Sequence, residues 1–274
     1  MMRDAFAPFF AITDIENVDS RVPELPNFIS LLHQKFYDMP WARFLHHYEN
    51  LIFSMIVALV VALIGYVGMR RKSLLPKGLQ NAFELFVEQF EKIIFEVLGP
   101  QEGKKYIPFL GTMFLYILTM NVFGLIPLMK SPSSNLNITA GMALCVFCLV
   151  QYLNIRNMGL LGFLYHLAGS PKSIIEWVLS PLMFGLELIS QFSRPITLSL
   201  RLFGNVLGED ILIGAFALFG VVLISAYDPP VGLPLQIPFM FLALLTSLMQ
   251  ALVFTLLSAV YILLSIPHKE SDAH

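Results

Sequence analysis

Apolar residues fill long uninterrupted runs of this chain, and polar residues collect between the runs. Residues 51–69 contain no charge and, at about 1.5 Å per helical residue, are long enough to cross the hydrocarbon of a bilayer. Residues 106–129 and 138–155 have the same character, and the runs 174–220 and 237–266 are longer than one perpendicular crossing needs. This pattern predicts an all-α polytopic membrane protein with about five transmembrane helices.

Three apolar stretches do not fit a simple crossing. Residues 79–98 alternate apolar and acidic positions, which predicts an amphipathic helix lying along the cytoplasmic interface. Residues 159–169, with His166, are too short to cross and predict an interfacial or re-entrant hairpin. Residues 174–220 are about twice a normal span and hold two prolines, so they must tilt, break or lie partly in the membrane plane. We expect the last two helices to be long and strongly tilted.

Basic residues indicate the orientation of the chain. They lie between alternate spans, at Arg70, Arg71, Lys72, Lys77, Lys104, Lys105, Arg156 and Lys172. The positive-inside rule places these segments in the cytoplasm, the N-terminus outside and, after five crossings, the C-terminus inside. We therefore predict an extramembrane segment over residues 1–49, one transmembrane domain over 50–267 and a cytoplasmic tail over 268–274. The first 49 residues show no pattern of a cleaved signal peptide.

The composition excludes a water-soluble domain. Hydrophobic residues make up 57% of the chain and charged residues 13%, with a mean hydropathy of +0.72. The net charge of -2 does not indicate nucleic acid as a partner. Cys145 and Cys148 lie in an apolar run and are predicted to face lipid or to pack, and His33, His46 and His47 are predicted to be interfacial. We expect no metal, no cofactor and no catalytic residue.

A polar stripe runs through the long fourth span. At about 100° per residue, one helical face carries Ser190, Arg194, Thr197, Arg201 and Asn205. An arginine at the centre of a membrane helix costs about 2.5–3.5 kcal/mol, and its guanidinium cannot escape that cost by deprotonating. Arg201 therefore needs an anionic partner or a water-filled cleft, and it is the central candidate residue of the chain.

The last span offers a second polar face, which carries Ala243, Thr246, Gln250, Leu257 and Tyr261. Gln250 and Tyr261 can therefore face the same partner as the arginine stripe. The alternative is that Gln250 and Asn205 only form a hydrogen bond that holds two helices together.

Three carboxylates accompany the arginines in the fourth span, at Glu187, Glu209 and Asp210. Burial in a membrane favours the protonated form of a carboxyl group, so that it can exchange protons near neutral pH. Because Arg201 keeps its proton, a path lined by these carboxylates would admit protons from each side and block direct passage through the middle. A mobile group must then carry protons past the arginine.

These residues carry a resemblance to a known family. The segment SRPITLSLRLFGNVLGEDIL, with MQALVFTLLSAVYI downstream and NLNITAGMAL upstream, resembles subunit a of the F-type ATP synthase. The resemblance runs from about Leu51 to the C-terminus and is strongest from Glu187 onward. It implies a stator subunit of the bacterial inner membrane that packs against a ring of c subunits, contacts the b subunits of the peripheral stalk and carries out no ATP chemistry itself.

The resemblance also implies a role for each site residue. Arg201 corresponds to the arginine that attracts the deprotonated carboxylate of each passing c subunit and separates two aqueous half-channels. Asn205 and Gln250 correspond to polar residues beside it, and Glu187 and Asp210 to carboxylates of the half-channel open to the outside. Thr197, Ser193 and Tyr261 are candidate linings of the cytoplasmic half-channel.

One position departs from the family. Many bacterial relatives have a histidine where this chain has Ala243, seven positions before Gln250, and pair it with the residue at the Asp210 position. Glu209 or water could fill that role. An alternative function is a secondary transporter in which Arg201 binds an anionic substrate, although the chain has no internal repeat. An intramembrane hydrolase would need a G-x-S-x-G or H-E-x-x-H motif, which the chain lacks.

Overall fold

The protein is a bundle of helices. The computed structural model describes residues 27–35, 40–70, 79–169, 174–224 and 233–266, and these contain seven α-helices and no strand. The helices are α1 (Phe28–Lys35), α2 (Pro40–His47), α3 (Glu49–Arg70), α4 (Leu79–Gly124), α5 (Leu136–Leu167), α6 (Ile174–Ile224) and α7 (Ile237–Ser265). Predictions for residues 1–26, for the basic residues Arg71, Lys72, Lys77 and Lys172 and for the tail 268–274 lie outside the described residues.

Five of these helices, α3 to α7, are long and apolar enough to cross a membrane. Their number and positions confirm an all-α polytopic membrane protein. Many large apolar side chains point outward, for example Leu161, Val178 and Phe241, each more than 70% exposed. This outward surface suits lipid contact, since a bilayer imposes no penalty on exposed apolar groups. Cys145 and Cys148 were predicted either to face lipid or to pack inside the bundle. Both are exposed, which favours contact with lipid.

The helix α4 combines two segments with different roles. Gly99 adopts φ 75° and ψ 162°, a left-handed conformation that suits glycine, and Pro100 follows it. Before this kink, Phe90, Ile94 and Leu98 are buried on one face, while Lys92 and Glu88 form an ion pair on the exposed face. The amphipathic helix is therefore present where the pattern predicts it, and its position along the cytoplasmic interface stays a prediction.

A second glycine kink separates the end of α5 from its membrane span. Gly159 adopts φ 72° and ψ 163°, and the chain continues as helix only to Leu167. The Ser180 hydroxyl then donates a 3.1 Å hydrogen bond to the Ala168 carbonyl. The segment after Gly159 is therefore helical and contacts α6 through Ser180, and its interfacial or re-entrant position stays a prediction.

The helix α6 is continuous over 51 residues in spite of Pro181 and Pro195. The sequence left three possibilities for this stretch, namely a tilt, a break or a position partly in the membrane plane. The continuous helix shows that the break is wrong. Its apolar part, Val178–Gly220, is about 65 Å long at about 1.5 Å per residue, roughly twice the thickness of the hydrocarbon core. It can remain within that core only when inclined by roughly 60° from the membrane normal, and the strong tilt itself stays a prediction.

The core packs α6 and α7 against α4 and α5. The fully buried side chains include Leu110 and Ile117 of α4, Leu202 of α6 and Phe254 of α7. At one end of the bundle, the Asn157 side-chain amide donates a 3.1 Å hydrogen bond to the Ser265 carbonyl, which joins the ends of α5 and α7. At the other end, a short 3-10 helix, Pro132–Ser134, connects α4 to α5.

The 3-10 helix is fixed to the end of α4 by side-chain hydrogen bonds. The Ser131 hydroxyl donates to the Met120 carbonyl at 3.1 Å, and the Ser133 hydroxyl donates to the Asn121 side chain at 2.6 Å. The loop that leads to it is therefore held in place, and this loop forms one wall of the site described next.

Candidate functional site

The helices α6 and α7 run antiparallel and meet along their polar faces. Positions 194, 205, 209 and 216 of α6 face positions 261, 250, 246 and 239 of α7, respectively. From one pair to the next, each step forward along α6 is matched by an equal number of residues backward along α7. One constant register therefore relates the two helices. This register confirms that Gln250 and Tyr261 face the arginine stripe.

Arg201 lies between two of these pairs, but no contact with α7 is found for it among the described residues. Its side chain is exposed, whereas Leu198 and Leu202 beside it are buried. Within the part of the chain that the structure describes, the Arg201 guanidinium has neither a hydrogen bond nor an ion pair. Gly204 and Gly208 continue the same exposed face, and a Cβ added at either would meet no atom within 4 Å. Arg201 is thus a permanent cation on an open helix face, and the next positions on that face are the glycines 204 and 208.

Asn205 and Gln250 join the two helices one turn beyond Arg201. The Asn205 side-chain amide donates to the Gln250 side-chain carbonyl at 2.7 Å. Gln250 is buried, and its own amide nitrogen has no hydrogen-bond partner among the described residues. A buried amide donor costs about 1–3 kcal/mol when unsatisfied. A water held inside the bundle is the kind of partner that would satisfy this donor.

Asp210 lines a cavity at the end of the bundle where α4 meets α5. The cavity has a volume of about 130 Å³, and since a water needs only about 10–15 Å³ by this measure, it has room for several waters. Its other polar walls come from Lys130, Ser131 and Gln236. A hydrated route can therefore reach the Asp210 carboxyl group through this cavity.

Glu209 points in a different direction from its neighbour Asp210. Its carboxyl group lies beside the Thr246 side chain on α7, because adjacent helical residues diverge by about 100°. Ala243 is buried, with 1% of its surface exposed, so α7 offers no titratable group at the position where many relatives have histidine. The structure thus places Glu209 against α7 and Asp210 in the cavity.

A second polar cluster lies on the other side of Arg201. The Gln151 side chain of α5 donates to the Gln191 side chain of α6 at 2.7 Å, and Gln191 donates to the Glu187 carboxylate at 3.4 Å. Gln151 and Gln191 line a small cleft that Arg194 and Tyr261 also line. The Arg194 guanidinium lies over the Tyr261 ring, 5.3 Å from its centroid.

Sequence reasoning missed both glutamines of this cluster. Gln151 follows an apolar run of seven residues, 144–150, in the third span, and a polar residue after such a run was a usable signal. Sequence reasoning also missed Lys130. The remaining sequence candidates, Ser193 and Thr197, are exposed, and their hydroxyl groups donate to carbonyls of their own helix at 2.8 and 2.7 Å.

The two carboxylate clusters are separated along α6 by Arg201. Because the helix is continuous, Glu187 lies about 21 Å before Arg201 along the axis and Asp210 about 14 Å after it, at about 1.5 Å per residue. This separation argues against the expectation that Glu187 and Asp210 line the same half-channel. No group of three metal-ligating side chains occurs within the described ranges.

Comparison with known proteins identifies relatives that match most of this chain. Residues 51–263 match the model of the family described as ATP synthase A chain. The chain is 66% identical to the ATP synthase subunit a of Protochlamydia amoebophila (strain UWE25) over 257 residues, which cover 94% of each chain. It is 37% identical to that of Solidesulfovibrio magneticus over 220 residues, 80% of this chain and 85% of the relative. It is 36% identical to that of Campylobacter fetus subsp. fetus over 218 residues, 79% and 89%.

Proposed function

The chain belongs to the ATP synthase A chain family, and we propose that it is the proton-translocating stator subunit of a bacterial F-type ATP synthase. The observation that supports this role best is the open position of Arg201. The membrane-spanning helix α6 holds this cation on an exposed face, and no described anion of the same chain pairs with it. Such a cation requires a partner from another chain. The carboxylate of a c subunit is such a partner.

The partner meets Arg201 on the open face of α6. Gly204 and Gly208 leave space there, and small residues let a second membrane helix approach closely. At about 4 Å, opposite charges attract by about 4 kcal/mol at an effective dielectric of 20. This attraction favours the ionised c-subunit carboxylate while it passes, so that the carboxylate releases its proton on one side of Arg201 and takes up a new one on the other.

Two half-channels deliver and remove these protons. The cavity at Asp210 is the outer half-channel, because several waters fit in it and it lies at the end of the bundle where α3 begins. The cluster of Glu187, Gln191 and Gln151 belongs to the cytoplasmic half-channel, with Ser193, Thr197 and Tyr261 between it and Arg201. Glu209 and Thr246 support the interface of α6 with α7.

This role determines orientation and partners. The chain lies in the bacterial inner membrane, with its N-terminus outside and its C-terminus in the cytoplasm, which agrees with the basic residues Lys104, Lys105 and Arg156 on one side. The ring of c subunits covers the open face of α6, and the b subunits of the peripheral stalk contact another part of the lipid-facing surface. A secondary transporter that binds an anion at Arg201 is less well supported, since Arg201 lies on an open face and lines neither cavity.

The experiment that tests this function is purification of the tagged chain from its native membrane in a mild detergent, followed by mass spectrometry. We expect c, b and catalytic-head subunits in fixed stoichiometry. The purified complex, reconstituted into vesicles, should synthesise ATP when a proton gradient is imposed. A stable preparation of the chain that lacks c subunits and takes up a small anion would instead support the transporter.

A further inference from the structure

A chain of polar side chains leads from the surface towards the Asp210 cavity at the beginning of α3. His46 Nδ1 lies 3.1 Å from Glu49 Oε2, and Lys130 Nζ donates to Glu49 Oε1 at 2.9 Å. Both carboxylate oxygens of Glu49 are therefore engaged, one by a group on its own segment and one by a group on the loop after α4.

His46 is the most exposed of the three side chains. It is 35% exposed, whereas the side chains of Glu49 and Lys130 are 11% and 15% exposed. Lys130 is also a wall of the cavity that holds Asp210. His46 is thus the member open to water, Lys130 is the member that borders the cavity, and Glu49 connects them.

We propose that His46, Glu49 and Lys130 form the outer mouth of the proton pathway, which collects protons from the external water and passes them to the cavity at Asp210. This inference rests on the proposed function, and it assigns a role to groups that no sequence motif singled out. It also offers a source of titratable groups for a chain that has Ala243 where many relatives have histidine.

The chemistry of the three side chains fits such a mouth. An imidazole ring has two nitrogens, so His46 can take a proton from bulk water at one nitrogen and present the other to Glu49. The Glu49 carboxylate accepts the proton and releases it to a water beside Lys130 at the rim of the cavity, and further waters carry it to Asp210. Lys130 keeps its charge and holds Glu49 at the rim.

Among the described residues, two further histidines and a tyrosine lie on the segments around this cluster. The His33 ring of α1 stacks on His46, with centroids 4.8 Å apart and planes 7° apart. His47 and Tyr48 follow on the same segment and contact each other edge to face. A purely structural reading is that the Glu49 to Lys130 ion pair only clamps α3 to the loop after α4. His46 distinguishes the two readings, because it lies outside that ion pair.

The test uses the complete ATP synthase complex reconstituted into vesicles, with ATP synthesis measured while the pH on the outer side of the chain is varied. We expect Glu49→Gln to lower the rate by about tenfold, the lower end of the range by which a charged cleft raises the arrival of ions. His46→Gln should lower it less, and more at high outer pH than at low outer pH, because scarce protons depend most on a collecting group.

Two matched controls accompany these variants. His47→Gln removes a neighbouring exposed histidine that is not bonded to Glu49. Glu102→Gln removes the acid of another ion pair, which Glu102 and Lys105 form at the opposite end of the bundle. Both controls should synthesise ATP like the unmodified complex at every outer pH, with all subunits present in normal stoichiometry.

The outcomes separate the inference from the proposed function. Unchanged synthesis by assembled His46→Gln and Glu49→Gln complexes would overturn the mouth while leaving the stator role intact. Loss of rate in Glu49→Gln alone, with His46→Gln equal to His47→Gln, would identify a clamp and also overturn it. If an assembled Arg201→Ala complex synthesised ATP normally, the proposed function itself would fail. If Glu49→Gln does not assemble, His46→Gln decides, since it leaves the ion pair in place.

Discussion

Asn205 on α6 and Gln250 on α7 are joined by a side-chain hydrogen bond of 2.7 Å, one helical turn beyond Arg201. The bond fixes the rotation of the two helices about their axes, one turn from the exposed Arg201 side chain. It also leaves the Gln250 amide nitrogen buried and without a partner among the described residues. The pair therefore packs the helices and leaves one unsatisfied polar donor inside the bundle.

We expect Asn205→Ala and Gln250→Ala to be energetically coupled. In a double-mutant cycle on the purified chain, the coupling in the free energy of unfolding should be about 0.6 kcal/mol and at most about 1.7 kcal/mol, as for other hydrogen bonds between membrane helices. Unfolding in mixed detergent and lipid gives the measurement.

A control cycle pairs Asn205→Ala with Ser258→Ala, whose hydroxyl donates to the Phe254 carbonyl of its own helix at 2.8 Å. Ser258 is about 12 Å along α7 from Gln250, so these two changes should add within about 0.3–0.5 kcal/mol. Equal coupling in both cycles would show that the Asn205 to Gln250 bond has no specific contribution.

The number of crossings and the pairing of α6 with α7 could be predicted from sequence. Hydropathy is a local property, so each span follows from its own residues. Gln250 and Tyr261 lie at spacings that put them on one helical face, which is also local information. The hydrogen bond between Asn205 and Gln250 was one of the two alternatives, and the structure shows it, whereas the contact of Tyr261 with Arg194 was not singled out from the sequence.

The rest depends on contacts between distant parts of the chain. Gln151 meets Gln191, and Lys130 meets Glu49, only because α3, α4, α5 and α6 pack as they do. The continuity of α6 through Pro181 and Pro195 is likewise set by packing, since an isolated helix would favour a kink at each proline. That continuity moves Glu187 to the opposite side of Arg201 from Asp210.

This separation predicts that Glu187 and Asp210 are reached by water from opposite sides of the membrane. Starting from a complex in which Cys145 and Cys148 are replaced by alanine, Glu187→Cys should react with a charged, membrane-impermeant thiol reagent added from the cytoplasmic side. Asp210→Cys should react with the same reagent added from outside. Labelling rates in right-side-out and inverted vesicles provide the measurement.

Leu198→Cys is the negative control, because Leu198 is buried on the packed face of α6. It should remain unlabelled from either side. Faster labelling of both Glu187→Cys and Asp210→Cys from outside would support the single outer half-channel expected from family resemblance, and would contradict the arrangement proposed from the structure.

Asp210 should matter more than its neighbour for proton uptake from outside. Asp210 lines a cavity with room for several waters, whereas Glu209 lies beside Thr246 on α7. We therefore expect Asp210→Asn to slow ATP-driven proton pumping by more than about tenfold, as loss of a positioned proton-transfer group does. Glu209→Gln, which keeps the shape and a hydrogen-bonding group, should be much less impaired. A greater loss in Glu209→Gln would exchange the roles of the two carboxylates.

Arg201→Lys tests whether the function needs a guanidinium or only a positive charge. Lysine keeps the charge, but its ammonium group is compact and loses its proton more readily in an apolar environment. A lysine that sometimes deprotonates would let a c-subunit carboxylate keep its proton while it passes, so that the two half-channels would no longer be electrically separate. We expect an assembled Arg201→Lys complex to lose ATP synthesis driven by a proton gradient.

Arg194→Lys is the matched control on the same helix face. Arg194 is half-buried and lies over the Tyr261 ring, a contact that a lysine ammonium also makes, at a difference of about 1 kcal/mol or less. This variant should assemble and retain most of its ATP synthesis, because Arg194 has a partner within the chain and Arg201 has none among the described residues. Near-normal synthesis by Arg201→Lys, or equal loss in both variants, would contradict the distinction between an arginine that serves the reaction and one that serves packing. The open face of α6 gives the physical reason to expect that distinction, since only a side chain directed away from its own bundle can interact in turn with each member of a moving ring.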